Sequence, residues 1–249
     1  MSPPGSLAVV AACLGPVVDR ALDYARDVIA RFACDLHPGT VLDLGAGTGA
    51  DLETIHRLHP AARRIALEQY PPHADSLAAH GVEVHMIDAE RERLPLQDDS
   101  VDLIIADQFL EHVKEVFWVL HESSRVLRVG GSFIIGVPNL AAAHNRVLLL
   151  TGHQPTQLRN WSAHVRGYTR GDLVELVARP FPGGYRVTRS TGEYFSPLRG
   201  RVAHLAARVW PGGAGSIFVR FEKMSAYSGQ YLAWSTRMAS RTNFRNGPG

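Results

Sequence analysis

The residues best placed to do chemistry begin with Val41-Leu-Asp-Leu-Gly-Ala-Gly-Thr-Gly49, an apolar run with one carboxylate that enters a glycine-rich turn. Glycines at 45, 47 and 49 permit positive φ and let a ligand approach with no Cβ in the way. Two more acids, Glu68 and Asp88, close later apolar runs, so carboxylates recur at three successive strand ends. That set suits a ligand with a cationic amino-acid end, a ribose and an adenine. The ammonium wants an anion, the ribose a bidentate acceptor, and the adenine amino group an acceptor beside an apolar wall. Gly45-Ala-Gly-Thr-Gly-Ala50 also satisfies the dinucleotide fingerprint. A dinucleotide site uses the second acid for ribose hydroxyls, but leaves Asp43 and Asp88 idle. Further along, His112, His144, His153 and His164, four of twelve histidines, fall where a second substrate would sit.

Such groups need a scaffold that gathers strand ends at one edge, and the chain alternates strand-like with helix-like runs. Helical spacing covers Val17–Leu36, closed by His37-Pro38-Gly39. Strands are expected at Val41–Leu44, Arg64–Leu67, Val82–Met86, Asp102–Ala106 and Ser132–Val137, then Tyr185–Ser190 and Ser216–Phe221. Helices are expected at Ala50–Leu58, Val113–Val129, Asp172–Ala178 and within Ser196–Val209. Residues 139–170 are longer than an ordinary α/β connection and rich in His, Arg, Gln and Asn, which marks them as an acceptor-recognition insertion. The reading is an α/β protein with a Rossmann-like, seven-stranded, mostly parallel sheet and helices on both faces. It divides into a helical N-terminal lid (1–36), a main domain (37–223) and a loosely packed, arginine-dotted tail (224–249).

Five segments, in order, resemble the class I S-adenosylmethionine-dependent methyltransferases, especially the small-molecule group related to the ubiquinone-pathway O-methyltransferases. They are Val41–Gly49, Glu68, Asp88-Ala89-Glu90 with Leu94-Pro95-Leu96, Ser100–His112, and Leu127–Asn139. The resemblance implies S-adenosyl-L-methionine as cofactor, held by Asp43, Gly45, Ala46, Gly47, Gly49, Glu68, Gln69, Asp88, Ala89 and Asp107. It implies an active-site edge at Phe109–His112 and a segment, His164–Thr169, that closes over the acceptor. Phe109, His144 and Arg166 are the expected substrate contacts.

Methyl transfer from a sulfonium is an in-line displacement, so positioning and desolvation supply much of the catalysis. A base is needed when the acceptor is a poorly ionised hydroxyl or a protonated amine. His112 is the first candidate and His164 the second. Thr169-Arg-Gly-Asp172 fits a helix cap, with Thr169 at the N-cap, and Tyr168 fits a core position. The expected acceptor is a glycan, lipid-linked or secondary-metabolite hydroxyl, with N- or C-methylation as the alternative.

A formal net charge of +2 gives no reason to expect nucleic acid. Strand four leads into Asp107-Gln-Phe-Leu rather than Asn/Asp-Pro-Pro-aromatic, which argues against methylation of nucleobase amines. An NAD(P)-dependent oxidoreductase and a non-catalytic cofactor-binding protein are the remaining rivals. Cys13 and Cys34 lack metal-ligand spacing, so no metal is expected and buried thiols in a reducing cytoplasm are the reading. Leu7–Leu14 is too short to span a membrane, leaving weak surface contact through the basic C-terminal stretch as the sole expected membrane interaction. Oligomeric state is not legible.

Overall fold

The computed structural model describes residues 21–195 and 200–239. Seven strands form one sheet: β1 Thr40–Leu44, β2 Arg63–Leu67, β3 Glu83–His85, β4 Val101–Asp107, β5 Leu127–Pro138, β6 Tyr185–Glu193 and β7 Ser216–Lys223. Their spatial order is β3-β2-β1-β4-β5-β7-β6. The first five run parallel, and β7 lies antiparallel between β5 and β6. The dinucleotide-binding order, 3-2-1-4-5-6, has no such inserted antiparallel strand.

Side chains alternate across a strand, so each strand feeds two cores. Leu42, Leu44, Ile104, Ala106, Phe133 and Ile135 pack on one face, under α4 (Val116–Val126), α6 (Arg170–Ala178) and the helix Gln230–Ala239. Val41, Leu103, Ile105 and Ile134 pack on the other, under α1 (Ala21–Ala33), α2 (Ala50–Leu58) and α3 (Pro71–Ala79). Asp43 follows Val41 onto this second face, and Asp107 follows Ile105. Because Asp43 pairs with Ile105 in register, the two acids end up on neighbouring strands at one edge.

Several elements differ from the sequence reading. Helix α3 went unforeseen, although its paired prolines occupy the first turn, where no amide donor is lost. Strand β5 starts earlier than expected, at Leu127, and absorbs Gly130-Gly131 through a register shift opposite Val101/Leu103. Residues 224–239 are no loose tail: Tyr231 is fully buried and its hydroxyl donates to the Val177 carbonyl at 2.7 Å. Residues 240–249 lie outside the described residues, as do Cys13 and the first twenty positions of the expected lid. The described helix α1 buries Val28, Ile29, Phe32 and Ala33 in the core. Cys34 is half-buried, with its thiol 3.4 Å from the Arg31 carbonyl.

The 139–170 insertion is ordered by two buried asparagines. Asn139 donates to the Gly212 and Ala214 carbonyls, and Asn145 donates to the Asn139 carbonyl and to Gln157. Around them run α5 (Ala143–Leu150) and a short turn at Thr156–Leu158. Among the described residues, no helix is long and apolar enough to cross a membrane.

Candidate active site

Two cavities meet at Gly45, at the carboxyl ends of the parallel strands where open α/β sheets bind ligands. The first, about 260 Å³, is lined by Leu67, Glu68, Gln69, Ile87, Asp88, Ala89, Phe109 and His112, among others. The second, about 360 Å³, includes Arg26, Ala46, Gly47, Asp51, Asp107 and Glu193. Phe109 packs over the Gly45 turn, where a Cβ on Gly45 would lie 2.7 Å from its ring. Gly47 has φ +52° and nothing within 4 Å of an added Cβ, so its backbone faces open space.

The first lobe has the features of a ribose and adenine pocket. Glu68 accepts from the Gly47 amide at 2.7 Å through one oxygen and from the Tyr70 amide at 2.8 Å through the other. Each oxygen keeps a lone pair for a diol. Leu67 and Ile87 provide the apolar wall, and Gln69 is tied to the Ile87 carbonyl at 3.0 Å. Asp88 accepts from the Glu90 amide at 2.9 Å and stands 3.7 Å from Arg91, so it sits in a local polar turn as well as in the pocket wall. Glu90 in turn accepts the Lys114 and Glu115 amides, binding this turn to the start of α4.

The second lobe is acidic. Asp43 is 2% exposed and its Oδ2 has no hydrogen-bond partner. Burial, followed by the nearby charges of Asp51, Asp107 and Glu68, holds its carboxyl well above the usual range. Burial pushes Asp107 up to about 8, with Asp51 adding to the shift. Asp51 is pushed up to about 6 by burial, against the opposing charge of Arg26. Gly136 is what admits Asp107, since a Cβ there would collide with the Asp107 carboxylate and the Phe218 ring. Such a cluster attracts a cation and resists a second anion.

At the wall of the first lobe, His112 meets His164, which itself lines neither lobe, with ring centroids 4.8 Å apart in an edge-on arrangement. They are 52 positions apart in the chain, and the turn Leu110–His112 and the insertion bring them into contact. Val165 and Arg166 amides donate to the Glu111 carbonyl, and the Tyr168 hydroxyl donates to the Leu110 carbonyl. Burial and the neighbouring His112 hold His164 below its ordinary pKa.

Other expected contacts lie elsewhere. Arg166 is not aimed at a ligand: its guanidinium donates to the Val113 and Lys114 carbonyls at 3.1 and 2.6 Å. His144 is half-buried, lines neither lobe, and is shifted down by burial. Gly49 also lies outside both lobes; it begins α2 at φ +81°, tight against Leu77. Thr169 caps α6 by accepting the Asp172 amide, as its sequence context suggested. Asp51 and Glu111 escaped sequence reading. Glu111 is 1% exposed with both carboxylate oxygens unpartnered, and burial pushes it up to about 7. Glu111 follows Phe109-Leu110 and stands close to Val113, an acid in a largely apolar stretch, whereas Asp51 shares its helical turn with Glu53 and gave no such signal.

Sheet order, glycine turn and strand-end acids together define a class I S-adenosylmethionine-dependent methyltransferase fold. Residues 42–135 match the family model described as a methyltransferase domain. The ubiquinone biosynthesis O-methyltransferase of Azorhizobium caulinodans is 28% identical over 197 residues, covering 72% of this chain and 74% of that protein. Among solved structures, an S-adenosylmethionine-dependent methyltransferase from Mesorhizobium loti superposes with a TM-score of 0.56 at 18% identity, covering 82% of this chain and 100% of that one. The [4+2]-cyclase SpnF superposes with a TM-score of 0.57 at 22% identity, covering 80% of each chain. The chain has the fold of the class I S-adenosylmethionine-dependent methyltransferases and, over residues 42–135, matches their sequence pattern. It spans 32%, 54% and 35% of the lengths of three other curated relatives that it matches.

Proposed function

We propose that this protein transfers a methyl group from S-adenosylmethionine to an oxygen of a small-molecule acceptor. The observation that carries the donor assignment is Asp43, a buried carboxylate with an unpartnered oxygen, beside Asp51 and Asp107 at the glycine turn. A dinucleotide would place its pyrophosphate at this helix N-terminus, where Asp51 and Glu53 already supply negative charge. An amino-acid ammonium instead relieves the repulsion. Glu68 would hold the ribose hydroxyls, and Asp88 and Ala89 would border the adenine.

When bound, the cofactor supplies an electrophilic methyl on a sulfonium whose departure needs no acid. The chain's own residues then orient, desolvate and manage one proton. Phe109, over the Gly45 turn, separates the lobes and keeps water from the reacting region. The acceptor hydroxyl gives up its proton beside the His112–His164 pair. The name of the Azorhizobium relative supports oxygen as the acceptor atom. A glycan, a lipid-linked hydroxyl or a secondary metabolite is the acceptor class in view. Because SpnF shares the fold under the name of a cyclase, the reaction reading rests on the site residues and not on the fold.

Calorimetry with S-adenosylhomocysteine and with NAD tests the donor. Stoichiometric binding of the former and none of the latter is expected, whereas the reverse pattern would overturn the proposal. A screen of radiolabelled methyl transfer onto phenolic, sugar and lipid-linked hydroxyls then tests the acceptor. Transfer confined to amines or carbon acids would refute the oxygen assignment.

A further inference from the structure

We infer that Glu111, His112 and His164 form a site for one divalent first-row transition ion at the acceptor rim. The ion's catalytic use rests on the methyl-transfer reading; its binding does not. A carboxylate oxygen and one ring nitrogen from each histidine all lie within 4.8 Å of one another. Ligands of a tetrahedral zinc ion, bonded at ~2.1 Å, stand about 3.4 Å apart. Small side-chain rotations close the difference.

Glu111 is the group that points to a cation. It is 1% exposed and neither carboxylate oxygen has a hydrogen-bond partner. A carboxylate stays ionised in such a place only against a positive charge, and no Lys or Arg pairs with it among the described ion pairs. His112 is already oriented as a ligand. Its Nδ1 lies 3.3 Å from the Ala163 carbonyl. A carbonyl can only accept, so in that bond Nδ1 carries the hydrogen and the lone pair is left on Nε2. Metal-ligating imidazoles are commonly held by a carbonyl in this way. His164 contributes a buried Nδ1 that also lacks a partner.

The site is assembled by docking of the insertion, since the Val165 and Arg166 amides bond to the carbonyl of Glu111 itself. Two imidazoles and one carboxylate favour zinc, iron, cobalt or manganese over magnesium and calcium. Three protein ligands leave a position open, and His112 lines the first lobe, so that position faces the cavity. An acceptor hydroxyl bound there would lose its proton near neutral pH, with the proton passing to water. Its oxygen lone pair forms the new carbon–oxygen bond while the carbon–sulfur bond breaks and sulfur keeps the electron pair.

The test uses the metal-stripped full chain, titrated with zinc by calorimetry and with Co²⁺ by visible absorption, alongside an S-adenosylhomocysteine titration. One ion per chain is expected, with tetrahedral-type cobalt bands and no comparable response to magnesium. His164→Gln and Glu111→Gln should each weaken zinc binding by about 100-fold or more, since each removes a direct ligand where loss of an outer partner alone costs 10–100-fold. His164→Gln should leave S-adenosylhomocysteine affinity unchanged, which certifies its fold. Wild type binding zinc no tighter than either variant would overturn the site and leave Glu111 a buried protonated acid. Absence of S-adenosylhomocysteine binding to wild type would instead overturn the methyl-transfer reading.

Discussion

The donor side and the acceptor side of this cavity are built by different means. On the donor side, Asp43, Glu68 and Asp107 stand at or just past the ends of adjacent parallel strands, and sheet register places them. On the acceptor side, His112 and His164 belong to a short turn and an irregular insertion, held by side-chain and backbone bonds to the Leu110–Lys114 carbonyls. Register is shared by every residue of a strand and is hard to disturb locally. Docking of a loop rests on a handful of bonds, each worth about 1 kcal/mol net. The donor site should therefore be rigid and change little with acceptor-side mutation, while the acceptor site should be adjustable.

The largest effect is expected on the donor side. Gly47→Arg fills the open space in front of the turn and strains a φ of +52°, so S-adenosylhomocysteine affinity should fall by more than ~100-fold in calorimetry. Retained affinity would mean that the turn is not the cradle. Glu68→Gln keeps shape but loses charge, and removing one charge-assisted hydrogen bond should weaken binding by roughly tenfold. A fall much beyond that would show the Gly47–Glu68 bond to be structural.

On the acceptor side, Arg166→Ala frees the Val113 and Lys114 carbonyls. Acceptor KM should rise several-fold, about 1 kcal/mol for a docking bond, with cofactor affinity constant. An equal loss in both would erase the distinction between the two sides.

A further effect is read on stability rather than on binding, as a pH dependence. Burial raises Asp107 to about 8 and Asp51 to about 6. The folded state then binds these protons more tightly than the unfolded chain, so their contribution is full below the ordinary carboxylate range and is lost as pH rises toward 8. Thermal melts of the unliganded protein should fall between pH 6 and 8. Asp107→Asn should flatten that slope, and a slope of opposite sign would contradict the burial of these acids.

Much of the donor side was readable from local pattern. An apolar run closing on an acid and three spaced glycines is a strand entering a ligand turn, and the same pattern at Glu68 and Asp88 places their strands. Gly49 and Arg166 show the limit, since both have the residue types of ligand contacts yet serve a helix start and a loop clamp. Asp51 and Glu111 show the converse: an acid on a helical turn looks solvated until the packing around it is known. The segment after Met224 looked loose because its polar residues hide Tyr227 and Tyr231, whose buried or half-buried rings pack together and against Phe181.

The sequence by itself determined the alternating α/β architecture, the glycine turn and the carboxylates at three strand ends, because periodicity and turn chemistry are properties of neighbours in the chain. Tertiary structure alone decided that β7 inserts antiparallel between β5 and β6, and that Asp43, Asp51 and Asp107 share one desolvated pocket. It also decided that His164, 52 positions beyond His112, meets both Glu111 and His112. Burial and long-range proximity depend on what the rest of the chain packs against each residue, and no local spacing records that.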